Sequence, residues 1–331
     1  MKNEKVTSRT EMTPHYSPFD HLSVEEAKKL TEIFETNGNS IWNMPFYDYV
    51  VEHVFHDPDI FNMQNECDEY LDIYPDWIES SELNKIEGLR TFPNRFVSLG
   101  TTQGMDWWHY WCLANGYEFR MFRGEYPYNR DAILNVGGDD WTWERYVDDT
   151  PLSKGDALLI SLPFSGTGTK HDKMEETLDF CDANDIPVFV DMAWFGTCHG
   201  IEINLDRDCI KMVAFSTTKG LSCGNWRAGI VFSKINEGAL AVQTEWKHGI
   251  HLNICIANTL MKNFSPDTMP KKYMKEHAEL CEHYGLIPSN TIHIAQAPEA
   301  EQWKRFKKDG VYNRVNIRHA IKNYKQKGTW L

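Results

Sequence analysis

From about residue 95 the chain alternates short apolar runs with longer stretches whose apolar residues recur at helical spacing. Residues 95–98, 117–122, 132–136 and 157–161 read as strands, as do 187–191, 211–215 and 228–232. Helical spacing runs over 105–113 and 173–183. Strands that are apolar throughout leave no face for water. The pattern therefore predicts an α/β fold, a mostly parallel sheet covered on both sides as a three-layer α/β/α large domain. Ahead of it, Ser23-Val24-Glu25-Glu26 has capping-box spacing and predicts a helix through about residue 34, and Asn37-Gly38-Asn39-Ser40 reads as a turn. Behind it, helices over 270–284 and 299–306 with strands over 291–295 and 311–317 predict a small α+β domain. The large domain is expected over 46–235, and the small domain from 1–45 joined with 236–331.

Composition narrows the function. A chain of 331 residues can bury a large core, and its net charge of −14 excludes non-specific nucleic-acid binding, which needs a basic surface. No apolar stretch is long enough to span a bilayer and no charged-then-apolar leader opens the chain, so a cytoplasmic location with no membrane partner is expected. The eight cysteines are scattered without a C-x-x-C pair, which suits reduced structural thiols. His109 and Cys112 share a helix face, but two ligands do not make a metal site, and none is expected.

The candidate chemistry lies at strand ends. Parallel sheets present ligand-binding groups there, and Thr102, Tyr126, Ser165, Asp191 and Ser216 all fall at or just beyond the ends of predicted strands. Three residues past Ser216 comes Lys219, and eight further on Arg227, in the glycine-rich run Ser216-Thr217-Thr218-Lys219-Gly220-Leu221-Ser222-Cys223-Gly224-Asn225-Trp226-Arg227. A lysine amine, a carboxylate and an arginine suited to a phosphate are the groups needed to hold and use pyridoxal phosphate. Singly they say less: Asp191 alone could be a helix N-cap, and Trp107, Trp108 and Trp111 read as core or dimer contact.

The spacing of Asp191, Ser216, Lys219 and Arg227 resembles the fold-type I pyridoxal-phosphate enzymes of the class I/II aminotransferase family, over about residues 74–314. The resemblance implies that Lys219 forms the covalent link to the cofactor and then shuttles a proton, while Asp191 pairs with the pyridine nitrogen. Arg227 and Ser216 would hold the phosphate together with Gly100, Thr101 and Thr102, and Tyr126 would stack on the ring. Arg314, in Tyr312-Asn313-Arg314-Val315-Asn316-Ile317, would bind the substrate α-carboxylate. Leu71-Asp72-Ile73-Tyr74-Pro75-Asp76 resembles a segment of the histidinol-phosphate aminotransferase branch, whose tyrosine reaches the phosphate of a neighbouring subunit. That implies a role for Tyr74 and a homodimer. Two positions depart from the family: Ser165 stands where an asparagine is usual, and Trp194 where a tyrosine is usual, both near the cofactor's phenolic oxygen. The implied activity is amino transfer between an α-amino acid and a keto acid. A decarboxylase or lyase of the same fold is the alternative, and a weakly active binding protein a third.

Overall fold

The computed structural model describes residues 33–56, 66–135, 145–247 and 251–327. Helices α1 (Met44–His53) and α2 (Glu66–Glu79) precede strands β1 (Lys85–Glu87) and β2 (Asn94–Ser98). Then α3 (Thr101–Ala114), β3 (Glu118–Met121), α4 (Tyr128–Asn135), β4 (Asp156–Ser161), α5 (Met174–Ala183) and β5 (Val188–Met192) alternate. Strands β6 (Glu202–Asn204) and β7 (Ile210–Ser216), the single turn α6 (Thr217–Gly220) and β8 (Gly229–Ser233) follow. Helices α7 (Gly238–Glu245), α8 (His251–Asn263) and α9 (Thr268–Tyr284) lead to β9 (Ile287–Pro288), β10 (Ile294–Gln296), β11 (Lys307–Lys308), β12 (Tyr312–Asn316) and α10 (Arg318–Lys327).

The main sheet has six strands in the order β2-β8-β7-β5-β4-β3. Strands β3, β4, β5 and β7 are parallel, and β8 runs antiparallel to both its neighbours. Every residue of β4 and β5 is buried, as their unbroken apolar runs require. The pleat sorts alternate residues into two cores. Ala157, Leu159, Phe189, Met212 and Ala214 meet Met105, Trp108 and Cys112 of α3. Leu158, Ile160, Val190, Val213 and Phe215 meet Leu178 and Cys181 of α5 and Trp77 of α2 on the other side. Each such fully buried large aliphatic or Phe side chain contributes about 1.5–3 kcal/mol. Trp108 lies 5.8 Å from Phe189 with Trp111 stacked on it, so this cluster is core. A second sheet, β11-β12-β10-β9, is antiparallel throughout.

Several expectations are corrected. Residues 132–135 are not a strand but belong to α4: Pro127 sets the backbone at its entrance, Asp131 N–H donates to the Pro127 carbonyl, and of residues 131–133 only Ile133 is buried. Residues 301–306 form a 3-10 turn rather than an α-helix. Helix α2 carries Pro75 in its interior. The proline has no N–H for the Leu71 carbonyl, and Arg95 Nη1 donates to that oxygen instead at 3.1 Å. The expected break at 235/236 falls inside the packing of the large unit: Leu240 of α7 joins the core under α3, and α8 packs on α1 and α2. The helix expected from Ser23 lies outside the described residues except at its end. No helix among the described residues is long and apolar enough to cross a membrane.

Candidate active site

The carboxyl ends of β4, β5 and β7, the amino end of α3 and the start of β12 enclose a cavity of about 470 Å³. Asp191 and Trp194 reach it from the end of β5, Ser216 and Lys219 from the end of β7 and α6, and Ser165 from the turn after β4. Thr101 and Thr102 line it from α3, Arg227 from the loop before β8, Tyr126 from the loop before α4, and Arg314 from β12. The structure thus brings ten separately predicted residues together around one space. Parallel strands impose this, because their carboxyl ends open on the same edge of the sheet.

One end of the cavity is an anion cradle. Gly100 adopts φ +86°, and a Cβ there would stand 3.1 Å from both Arg227 Nη2 and Ser216 Oγ. Arg227 Nη2 donates to Thr102 Oγ1 at 3.0 Å and its Nε to the Leu99 carbonyl at 3.2 Å, which fixes the guanidinium over the start of α3. Ser216 Oγ lies 2.6 Å from Thr218 Oγ1. No side chain caps the 14-residue helix α3, so its first amide groups point into the same space. A guanidinium, hydroxyls and uncapped helix amides are a donor set for a phosphate, and the residues present fit one.

In the middle, Asp191 is buried, with Oδ1 accepting from Ala193 N–H at 3.0 Å. Burial, and then the neighbouring carboxylate Glu125, push its pKa up to about 7, against stabilising contacts from Thr101, Ala193 and Lys219. Glu125 is itself fully enclosed, accepting from Ser161 N–H at 2.7 Å and Ser161 Oγ at 2.5 Å. Burial, and then the cations Arg227, Arg318 and Arg314, bring Lys219 down to about 8. Tyr126 is partly exposed, with Tyr128 stacked at 5.8 Å, and the Tyr128 hydroxyl is anchored on Asp106. Trp194 lies edge-on to buried His293 and 5.9 Å from the Arg314 guanidinium.

At the far end Arg314 is buried and donates from Nη1 to the Ser165 carbonyl and from Nη2 to the Thr36 carbonyl, each at 2.7 Å. Ser165 Oγ accepts from Lys308 Nζ at 2.6 Å. Residues 36–39 form the wall here. They are tied to the small sheet because Glu35 and Asn316 exchange backbone hydrogen bonds and Arg318 pairs with Glu35 at 2.7 Å.

Tyr74 is the exception among the predicted residues. It sits in the middle of α2, fully buried, between Tyr70 and Trp77, away from the cavity lining. A side chain enclosed in its own chain's core cannot extend to a neighbouring subunit, so this expectation is corrected. Sequence reasoning missed Lys308, Thr218, Ser161 and residues 36–39. Thr218 stands in the run that holds Ser216 and Lys219, which was signal enough. Lys308 sits in a Lys-Lys-Asp-Gly stretch that reads as surface, and only the fold turns it inward.

A mostly parallel sheet thus gathers a lysine, a carboxylate and a set of anion donors at one edge. Comparison with known proteins places this architecture among solved aminotransferase folds. Residues 142–283 match the model of the aminotransferase class I and II family, whose members use pyridoxal phosphate. That match covers less than half of the chain. An aromatic aminotransferase from Pyrococcus horikoshii superposes with a TM-score of 0.60 at 15% identity, covering 91% of this chain and 96% of that one. A Methanococcus jannaschii protein described as similar in its active site to kynurenine aminotransferases gives 0.58 at 18%, covering 97% of each. The L-threonine-O-3-phosphate decarboxylase of Porphyromonas gingivalis gives 0.54 at 11%, covering 89% and 98%. These identities speak for the fold alone. By sequence, no curated protein matches the chain.

Proposed function

We propose that the cavity holds pyridoxal phosphate and that the chain transfers an amino group between an α-amino acid and a keto acid. The observation that carries this reading is a partly buried lysine of lowered pKa sharing one cavity with a buried carboxylate, beside the cradle at Gly100. The cofactor would supply the electron sink. Ser216, Thr218, Arg227 and the first amides of α3 would bind its phosphate, and Tyr126 would lie against its ring. Asp191 would face the ring nitrogen; a cationic partner there replaces the missing counter-charge and holds the carboxylate ionised. Lys219, neutral in a substantial fraction near pH 8, can attack as a nucleophile and then accept and return a proton at Nζ. Arg314 would receive the substrate α-carboxylate.

The test is a half-reaction. Protein loaded with pyridoxal phosphate is mixed with a panel of amino acids, and absorbance is followed for conversion of the cofactor to its amine form. Conversion by at least one donor, with the keto acid as product, is expected. Carbon dioxide release in place of that conversion would favour the decarboxylase reading. A homodimer and a cytoplasmic location belong to the same proposal. Exposed Trp42, Met44, Tyr47, Phe55 and Leu252 on and around α1 support the first. Eight cysteines, all free, support the second.

A further inference from the structure

The substrate end of the cavity holds a second cation that the family resemblance does not supply. Lys308, on the short edge strand β11, turns inward and lines the same cavity as Arg314 and Ser165. Its Nζ donates to the Gly124 carbonyl at 2.5 Å, to Ser165 Oγ at 2.6 Å and, more weakly, to the Ser165 carbonyl at 3.3 Å. Arg314 Nη1 donates to that same carbonyl oxygen at 2.7 Å. Two basic side chains therefore converge on one backbone oxygen, and no carboxylate is hydrogen-bonded to either among the described residues. The guanidinium is also partly committed. Nη1 and Nη2 are spent on the Ser165 and Thr36 carbonyls, while Nε is buried without a hydrogen-bond partner.

Such a pair is electrostatically incomplete. Like charges side by side in a low-dielectric wall disfavour each other, and an anion placed between them removes the penalty for both. The protonation states carry the same mark. Burial, and then Arg314, hold the Lys308 amine well below the usual lysine range, against the pull of Asp309 and Glu125, and burial brings Arg314 down to about 10. The groups facing Lys308 are thus Arg314, Asp309 and Glu125, and the last is engaged by Ser161. A side chain from a different element has come to the Ser165 position.

We propose that Lys308 is a substrate-binding residue which, with Arg314, forms a two-cation receptor for the substrate carboxylate. This rests on the reading of the cavity as a substrate site and deepens it by restricting the substrates to those that carry a carboxylate and keep it. Loss of carbon dioxide would remove the negative charge that both cations bind, so binding energy spent on the carboxylate raises the barrier to its loss. A proton is also taken up: a bound carboxylate favours the charged amine, so affinity falls as rising pH removes that proton.

The experiment is calorimetric titration of the cofactor-loaded protein with propionate, 3-phenylpropionate and succinate, with ethylamine as the control lacking a carboxylate. Lys308→Met is expected to weaken all three carboxylates by about tenfold or more, one hydrogen-bonded charge's worth of binding. Lys308→Arg should stay within about threefold of the parent. Lys308→Gln, which keeps a donor without the charge, should resemble Lys308→Met if charge is the cause. Titration in buffers of different ionisation enthalpy should show proton uptake in the parent that disappears in Lys308→Met. Thermal melts guard against misfolding, and inorganic phosphate affinity at the Gly100 cradle of the cofactor-free protein should not change. Equal carboxylate affinity in the parent and Lys308→Met would overturn the proposal, and so would a parent that binds none of the three. None of these titrations needs turnover. Lys308-dependent binding without a half-reaction would sink the transferase reading and leave this one standing.

Discussion

Capture of the cofactor by Lys219 should depend on pH in a way no surface lysine would show. Only the neutral amine attacks an aldehyde, and burial with three nearby arginines brings its pKa to about 8 from an ordinary 10.5. At pH 7 roughly a tenth of the amine is then neutral, against about one part in 3,000 for an ordinary lysine, a gain of about 300-fold in reactive form. The difference corresponds to about 3 kcal/mol of disfavoured charge. Stopped-flow absorbance after mixing cofactor-free protein with pyridoxal phosphate should show the capture rate rising about tenfold per unit below pH 8 and levelling above it. A rate still climbing steeply at pH 10 would refute the argument, because the amine would then be no different from one in water. The same shift acts on stability with a definite sign. Below pH 8 the folded and unfolded states both carry the charge and the folded state bears its cost. Between 8 and 10.5 the folded state has released the proton and the unfolded state has not, so this group's destabilisation fades as pH rises.

Gly100→Ala should lose cofactor affinity by about tenfold or more by fluorescence titration, since its Cβ would crowd Arg227 and Ser216 at 3.1 Å. The same change should cost about 1–3 kcal/mol in denaturant unfolding, because φ +86° strains any residue with a Cβ. Asp191→Asn should bind cofactor through the phosphate cradle yet slow the half-reaction by about a hundredfold or more, roughly 3 kcal/mol of lost stabilisation of charge on the ring. An unslowed half-reaction would remove Asp191 from the mechanism. Tyr74→Phe should leave cofactor affinity unchanged and alter stability by less than about 1 kcal/mol, since its buried hydroxyl has no hydrogen-bond partner. A large fall in affinity would reinstate Tyr74 as a cofactor residue.

The legible parts share one property: their physical signal is local. Buried strands announce themselves as unbroken apolar runs, and β4, β5, β7 and β8 fall where those runs stand. Lys219, Ser216 and Asp191 are readable because each follows such a run within a few residues. Helix α4 was less so, since a short apolar triplet fits either period until the preceding Pro127 is weighed. The helix through Tyr74-Pro75 is illegible for a different reason. A tertiary donor, Arg95, satisfies the carbonyl that the proline leaves open, and nothing near position 75 reveals it.

By itself the chain determined its fold class and the edge of the sheet where the candidate residues gather, because strand pattern and side-chain type are written residue by residue. Tertiary structure decided what no local pattern carries. It buried Asp191 and partly enclosed Lys219 beside distant arginines, which brings their pKa values within about one unit of each other. It also sent Tyr74 into the core and turned Lys308 from an ordinary edge charge into a neighbour of Arg314 on the Ser165 carbonyl. Burial and the company of distant charges are properties of the packed molecule, and they set which of its many lysines can act.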